Sequence, residues 1–321
     1  MNFHIFSKLF HKRSKKTIIL ILIILYRIIT YKYNLKKEIR ICLCVIAKNE
    51  NLYAREFVER YKNIGYNKIF LYDNNDKNGE HFEEVINDYI QTEYVKIIDF
   101  REIIHGSPQH YAYQDCYRKN NKSYDWLSFY DMDEFLEINK KYKNVQDYLK
   151  DKIFDFCQNI KINRLEIINK NILYYENKTL KERIKPEKEN ISPDIRIKST
   201  YRGNLSVNIW EKSYNPHTSL LNITSCSCSG KVIKFDSPYN IPPDLTKAKL
   251  KHYYYKSFEE YCLKNSRGQA DRPKGMNKKI INENFKSLYL ENKNDSKKLQ
   301  ILFRIFNVSL YNFKEKMNIT Q

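Results

Sequence analysis

Along the first 140 positions the apolar residues form short runs separated by stretches with helical spacing. Residues 39–47 are apolar and β-branched without strict alternation, the pattern of a strand covered on both faces, and Lys48-Asn49-Glu50 ends it. Over 52–64, Leu52, Phe57, Val58, Tyr61 and Ile64 recur near helical intervals ahead of Gly65, which predicts a helix with a glycine stop. Residues 68–72 predict a second strand closing on Asp73-Asn74-Asn75-Asp76. After the Gly79 turn comes a helix through Phe82, Val85, Ile86 and Tyr89, then a third strand at 95–100. A helix-compatible stretch at 109–119 leads to a fourth strand, 126–130, which stops at Asp131-Met132-Asp133-Glu134-Phe135. Strands alternating with helices predict an α/β fold: a Rossmann-like, mostly parallel sheet flanked by helices and joined by right-handed crossovers.

The second half is less regular. Strands are expected near 160–168, 195–199 and 205–210, with a polar stretch around 186–193 between the first two. A loop with Pro238, Pro242 and Pro243 precedes the run Leu250 to Tyr255, a helix through Phe258, Tyr261 and Leu263 follows, and an amphipathic helix is expected at 297–306. At the other end, Thr17 to Thr30 is almost wholly apolar, with basic residues on both sides. It is shorter than the roughly 20 residues that cross a bilayer, but Arg27 is able to snorkel and Tyr26, Tyr31 and Tyr33 suit an interface. The organisation read from these patterns is a basic flank and single membrane-anchor helix at 1–38, a main domain at 39–270 and a C-terminal helical extension at 271–321.

Composition changes this picture in three ways. The net charge of +19 comes from Lys and Arg spread through every segment among Glu and Asp. It therefore points to a solvated basic surface and anionic lipid beside the anchor, and not to nucleic acid. Seven cysteines, an odd number without the spacing of a small disulfide-rich domain, are expected to be mostly buried thiols. N-x-S/T sequons begin at Asn121, Asn177, Asn190, Asn204, Asn222, Asn294, Asn307 and Asn318. They lean toward a secretory lumen, although an Asn-rich chain yields sequons cheaply.

The candidate chemistry lies at the strand ends, where open α/β sheets bind ligands. No glycine-rich phosphate loop follows the first strand, so a metal on carboxylates is the expected way to hold phosphate. Asp131 and Asp133 lie two apart after an apolar strand; extended backbone would project both to one side, and hard oxygen ligands suit Mn²⁺ or Mg²⁺. Lys256, Arg267 and Arg101 are candidate phosphate contacts. Glu211, beside the aromatic Trp210, is the candidate for a carboxylate base, and Asp194 and Glu134 remain open for that role.

Four blocks in order carry a resemblance: Cys44-Val45-Ile46-Ala47-Lys48-Asn49-Glu50; Gly65-Tyr66-Asn67-Lys68-Ile69-Phe70-Leu71-Tyr72-Asp73-Asn74; Trp126-Leu127-Ser128-Phe129-Tyr130-Asp131-Met132-Asp133-Glu134-Phe135; and His252-Tyr253-Tyr254-Tyr255-Lys256-Ser257-Phe258-Glu259-Glu260. Together they resemble glycosyltransferase family 92, related to the family 2 enzymes with the GT-A fold, over roughly residues 40–270. The resemblance implies a UDP-sugar donor, often UDP-galactose, a Mn²⁺ ion, and inverting transfer to a glycan acceptor. On the same basis Asn49 and Glu50 border the nucleotide, Asp73 meets uracil or ribose, Asp131 and Asp133 meet ribose and metal, and His252 is a third metal ligand, with His217 its rival. In a eukaryote such an enzyme would be a single-pass membrane protein of the Golgi or secretory pathway; in a bacterium it would face the cytoplasm from the inner membrane. A catalytically inactive, membrane-tethered glycan-binding protein and a metal nuclease or phosphotransferase are the competing readings.

Overall fold

The computed structural model describes residues 38–101, 107–184, 191–205, 215, 217–218, 223–233, 237–267 and 274–307. The first half follows the hydrophobic pattern closely: β1 (Ile41–Ala47), α1 (Asn51–Asn63), β2 (Lys68–Asp73), α2 (Glu83–Gln91), β3 (Val95–Asp99), α3 (Pro108–Asn120) and β4 (Trp126–Phe129). Helix α1 stops where Gly65 takes a φ of 101°, a backbone state that costs glycine little. The second half contains β5 (Glu134–Ile138), α4 (Val145–Leu149), β6 (Asn159–Ile167), α5 (Leu180–Arg183), β7 (Ile191–Arg202), β8 (Ser225–Ser227) and β9 (Ala248–His252). It closes with α6 (Phe258–Ser266), α7 (Lys274–Asn292) and α8 (Ser296–Phe306).

One sheet runs in the order β3-β2-β1-β4-β7-β6-β9-β5, with β8 also paired to β6. Strands β3, β2, β1 and β4 are mutually parallel, as expected, so their carboxyl ends share one edge. Beyond β4 the expectation of a mostly parallel sheet is corrected: β7 is antiparallel to both β4 and β6, and β5 is antiparallel to β9, giving a mixed sheet. The polar stretch expected around 186–193 is strand from Ile191 onward.

The sheet must also curl. Four residues separate the end of β4 from the start of β5, yet four strand spacings lie between them along the sheet. A flat sheet would ask that link to cover about 19 Å, close to the fully extended reach of the chain, and the link is a tight turn in which the Glu134 amide donates to the Asp131 carbonyl at 3.0 Å. Curling brings the β5 and β9 ends back over the carboxyl edge of the parallel strands.

Both faces of β1 are covered. Cys42, Cys44 and Ile46 join Ala112, Tyr113, Cys116 and Tyr117 of α3 in one cluster, while Phe57 and Tyr61 of α1 pack by their rings against Phe135 and Tyr66. The C-terminal helices close a second cluster in which Phe258 and Cys262 of α6 meet Phe285, Leu288, Ile301 and Leu302. Reading the cysteines as mostly thiols is corrected here: Cys44 is bonded to Cys116 and Cys157 to Cys226, leaving Cys42, Cys228 and Cys262 free and buried. The anchor expected over 17–30 lies outside the described residues. Among the described residues no helix is long and apolar enough to cross a membrane.

Candidate active site

The carboxyl ends of β1 and β2 present Asn49, Glu50 and Asp73, with Ala47 in register with Asp73. Asp73 is buried; one of its oxygens accepts from Arg101 at 2.5 Å and the other from the Asn75 amide at 2.9 Å. Arg101 also donates to the carbonyls of Asp76 and Glu80, so it ties the loop after β2 to the sheet and is occupied there, not held out for a phosphate. Asn75 in turn accepts the Asn49 amide at 2.7 Å. Asn49 has a φ of 52° and Lys256 one of 53°, and such strain in non-glycine residues persists only where the surroundings fix it.

Here Lys256 and Arg267, expected at the nucleotide, converge on Glu50. Lys256 Nζ donates at 2.9 Å and Arg267 at 2.5 Å, and Arg267 also reaches the Asn49 carbonyl at 2.9 Å and the Lys48 carbonyl. Burial alone would raise the Glu50 carboxyl, but these two cations hold it below its ordinary value. The Lys256 ammonium sits 3.4 Å from the centre of the Tyr53 ring, a cation–π contact that partly replaces lost water.

Asp131 and Asp133 do not continue β4 in extended form, which corrects the geometry expected of the pair. They occupy the first and third positions of the turn that leads into β5, and Glu134 Oε2 accepts the Asp131 amide at 3.0 Å. Their partners differ. Asp131 accepts from Lys198 at 2.6 Å, Gln109 at 2.9 Å and Tyr113 at 3.3 Å. Asp133 Oδ2 accepts from Lys264 and lies 3.6 Å from His252 Nε2. Burial opposes ionisation of both carboxyls, yet Lys198 lowers the first and Lys264 with His252 holds the second well below the usual range.

On its other side His252 Nδ1 is 2.8 and 2.9 Å from the two Glu166 oxygens. A carboxylate only accepts, so Nδ1 carries the hydrogen and Nε2 faces Asp133; a carboxylate behind the ring in this way fixes the tautomer and orientation of many metal-bound histidines. The donor set of one carboxylate oxygen and one imidazole nitrogen fits a Mn²⁺-like cation whose remaining ligands are water or phosphate. No group of three or more His, Cys, Asp or Glu side chains gathers as a metal cluster among the described residues. The rival, His217, is buried beside Tyr113, its Nδ1 without a partner among the described residues, and burial with nearby Lys198 pushes its pKa well down.

The alternatives for general base fare differently. Glu134 is fully buried between Lys198 at 3.5 Å and Arg164 at 3.6 Å and presents no surface to solvent. For Asp194, burial is outweighed by the Arg196 amide and the Arg164 guanidinium, which hold it at about 2, too acidic for an efficient base near neutral pH. Glu211 and Trp210 lie outside the described residues.

Sequence reasoning missed Arg164, Glu166, Lys198, Lys264, Gln109 and Tyr113. A signal existed on the strands: Arg164 and Glu166 on β6, and Asp194, Arg196 and Lys198 on β7, are charged residues two apart with apolar residues between them, although a bulge opposite Arg164 breaks the simple alternation there. For Lys264 the signal was its place three residues before Arg267 on α6, masked by the abundance of lysine.

With this geometry in view, the model of glycosyltransferase family 92 matches residues 37–287. The chain belongs to glycosyltransferase family 92. A family 92 protein of rice, Oryza sativa subsp. japonica, is 28% identical over 115 residues, which is 36% of this chain and 19% of the rice protein. Three solved structures have similar folds at low scores. The S. aureus protein TarS has a TM-score of 0.37 at 10% identity, covering 78% of this chain and 43% of TarS. Its 1–349 fragment with UDP-GlcNAc has 0.35 at 12%, covering 87% and 79%. A Pyrobaculum calidifontis mannosyltransferase with GDP-Man and Mn²⁺ has 0.38 at 9%, covering 92% and 86%. This family 92 protein has an α/β fold with a mixed, curled sheet, and its acidic turn meets β9 and α6 at the sheet's carboxyl edge.

Proposed function

We propose that this family 92 enzyme transfers a hexosyl group, galactose being the sugar the resemblance implies, from a UDP-sugar to a glycan hydroxyl with inversion, using Mn²⁺ or Mg²⁺. The observation that carries the reading is the Asp133–His252–Glu166 relay, a carboxylate oxygen and an imidazole nitrogen 3.6 Å apart with the imidazole oriented from behind. Asp133 and His252 would hold the metal, which when bound supplies positive charge to the departing diphosphate.

The protein's own groups do the rest. Asp73, fixed by Arg101, and Asp131, fixed by Lys198, Gln109 and Tyr113, are pre-set to accept hydrogen bonds from base and ribose. Glu50 holds the buried Lys256 and the more exposed Arg267 together, so that one net positive charge remains on this trio where the diphosphate charge builds. As the acceptor oxygen bonds the anomeric carbon and the bond to the diphosphate breaks, a carboxylate takes the hydroxyl proton. Glu211 is our assignment for that base, supported by the burial of Glu134 and the pairing of Asp194.

We further assign the chain to an oxidising secretory compartment, anchored through 17–30 and ending at the boundaries 1–38, 39–270 and 271–321 read from the pattern. The two disulfides support that reading. The deciding experiment is UDP or GDP release from a panel of sugar nucleotides with Mn²⁺. Release from a UDP-sugar, lost in Asp133→Asn and His252→Gln, is expected; full activity in either variant would overturn the assignment.

A further inference from the structure

Asp133 Oδ2 is shared by two groups of different kinds. The Lys264 ammonium donates to it, and His252 Nε2 faces the same atom at 3.6 Å. A carboxylate that is 3% exposed cannot be left without a compensating charge, and Lys264, the larger contributor, supplies it with His252 beside it. A divalent cation bound by Asp133 and His252 needs that same oxygen, and two cations do not share one carboxylate oxygen at contact distance without strong repulsion.

We propose, resting on the metal reading above, that Lys264 is a cation surrogate that fills the Asp133 position until donor and metal arrive together, and that it then turns onto the donor's diphosphate. Its surroundings separate it from the other lysines of the site. Lys198 and Lys256 are 6% and 5% exposed and pair with Asp131 and Glu50, carboxylates other than Asp133. Lys264 is 22% exposed, lies in the last turn of α6, and rests 4.1 Å from the centre of the Tyr254 ring, which itself packs on His252 with ring centroids 5.6 Å apart. An ammonium leaving Asp133 therefore keeps a cation–π partner and an open side toward water while remaining beside the metal position.

The thermodynamic consequence is coupling. Without the diphosphate, the metal must displace Lys264 with no new anion to receive it, so Mn²⁺ binds weakly. With UDP present, the freed ammonium meets a phosphate and the displacement is compensated. UDP and Mn²⁺ must then strengthen each other's binding by the same factor.

The test is Mn²⁺ binding to the full-length protein, followed by electron paramagnetic resonance of free Mn²⁺, with and without UDP. In the wild type UDP should tighten Mn²⁺ by about tenfold or more. In Lys264→Met, Mn²⁺ should bind about tenfold tighter in the absence of UDP, and the UDP effect should shrink toward unity. Lys264→Gln keeps a hydrogen-bond donor for Asp133 without the charge; it should show the same shift and serves if the Met variant does not fold. Wild-type binding with UDP combined with unchanged coupling in both variants would overturn the surrogate role alone. If the wild type binds no Mn²⁺ even with UDP, the metal reading falls and this inference falls with it.

Discussion

Reduction of the two disulfides offers the most direct physical test of the fold. Cys44–Cys116 joins β1 to α3, the elements that present Asn49 and Glu50 on one side and Gln109 and Tyr113 on the other; Cys157–Cys226 joins the segment before β6 to β8. The bridges span 72 and 69 residues of sequence in loops that do not overlap, so their effects on the unfolded chain should add. In the loop-closure model each lowers the entropy of the unfolded state enough to stabilise the fold by about 4 kcal/mol, a sum comparable to the whole stability of many domains. Urea unfolding followed by tyrosine and tryptophan fluorescence, in oxidising buffer and after reduction, measures this directly. Cys157→Ser with Cys226→Ser should lose about 2–4 kcal/mol, roughly a 5–10 °C fall in Tm, and full reduction should lose more. Loosening the β1–α3 bridge should also weaken UDP binding through Gln109. Seven titratable thiols in the denatured, unreduced protein, or a midpoint indifferent to reductant, would refute the reasoning.

Three further outcomes are expected. Glu166→Ala removes the group that orients His252 and should weaken Mn²⁺ binding in the presence of UDP by about 10–100-fold, as read by titration of free Mn²⁺; an unchanged affinity counts against His252 as a ligand. Asp194 is held at about 2 when folded, below its unfolded value. Its contribution is therefore fully present above about pH 4 and lost as pH falls toward 2, so Asp194→Asn should cost about 2 kcal/mol at pH 7, with the gap to wild type closing in urea titrations below pH 4. Glu50→Gln leaves Lys256 without a carboxylate partner in a buried position and should destabilise the protein by about 3–5 kcal/mol while raising the KM for donor; a change under 1 kcal/mol contradicts the buried pairing.

Much of the first half was legible from one dimension because its information is local. The strands of 39–47 and 68–72 are apolar runs buried along nearly their whole length, that of 95–100 is a shorter apolar run at the sheet edge, and the helices between them carry their own periodicity and stop signals, so each element announces itself within ten or so residues. Asp131, Asp133, Asp73 and Glu50 were legible for the same reason, each lying just past such a run. Strand β5 was hidden because it starts at once after the acidic turn, and α7 was read only as part of a helical extension, without bounds of its own, because Lys, Asn and Glu blur its apolar face.

What the chain's order of residues could not reveal is which distant charges meet. Asp133 lies 131 positions from Lys264 and 119 from His252, and Glu166 lies 86 from His252. Those pairings exist only because the mixed half of the sheet curls β9 and α6 back onto the parallel edge. The same holds for the disulfides, since a cysteine's partner is set by a Cα separation near 6 Å and not by spacing along the chain. Hydrophobic pattern determined the elements, because burial acts residue by residue on each helix and strand; tertiary structure decided the charge partners, because a buried ion is satisfied only by whatever the fold brings within a few ångströms.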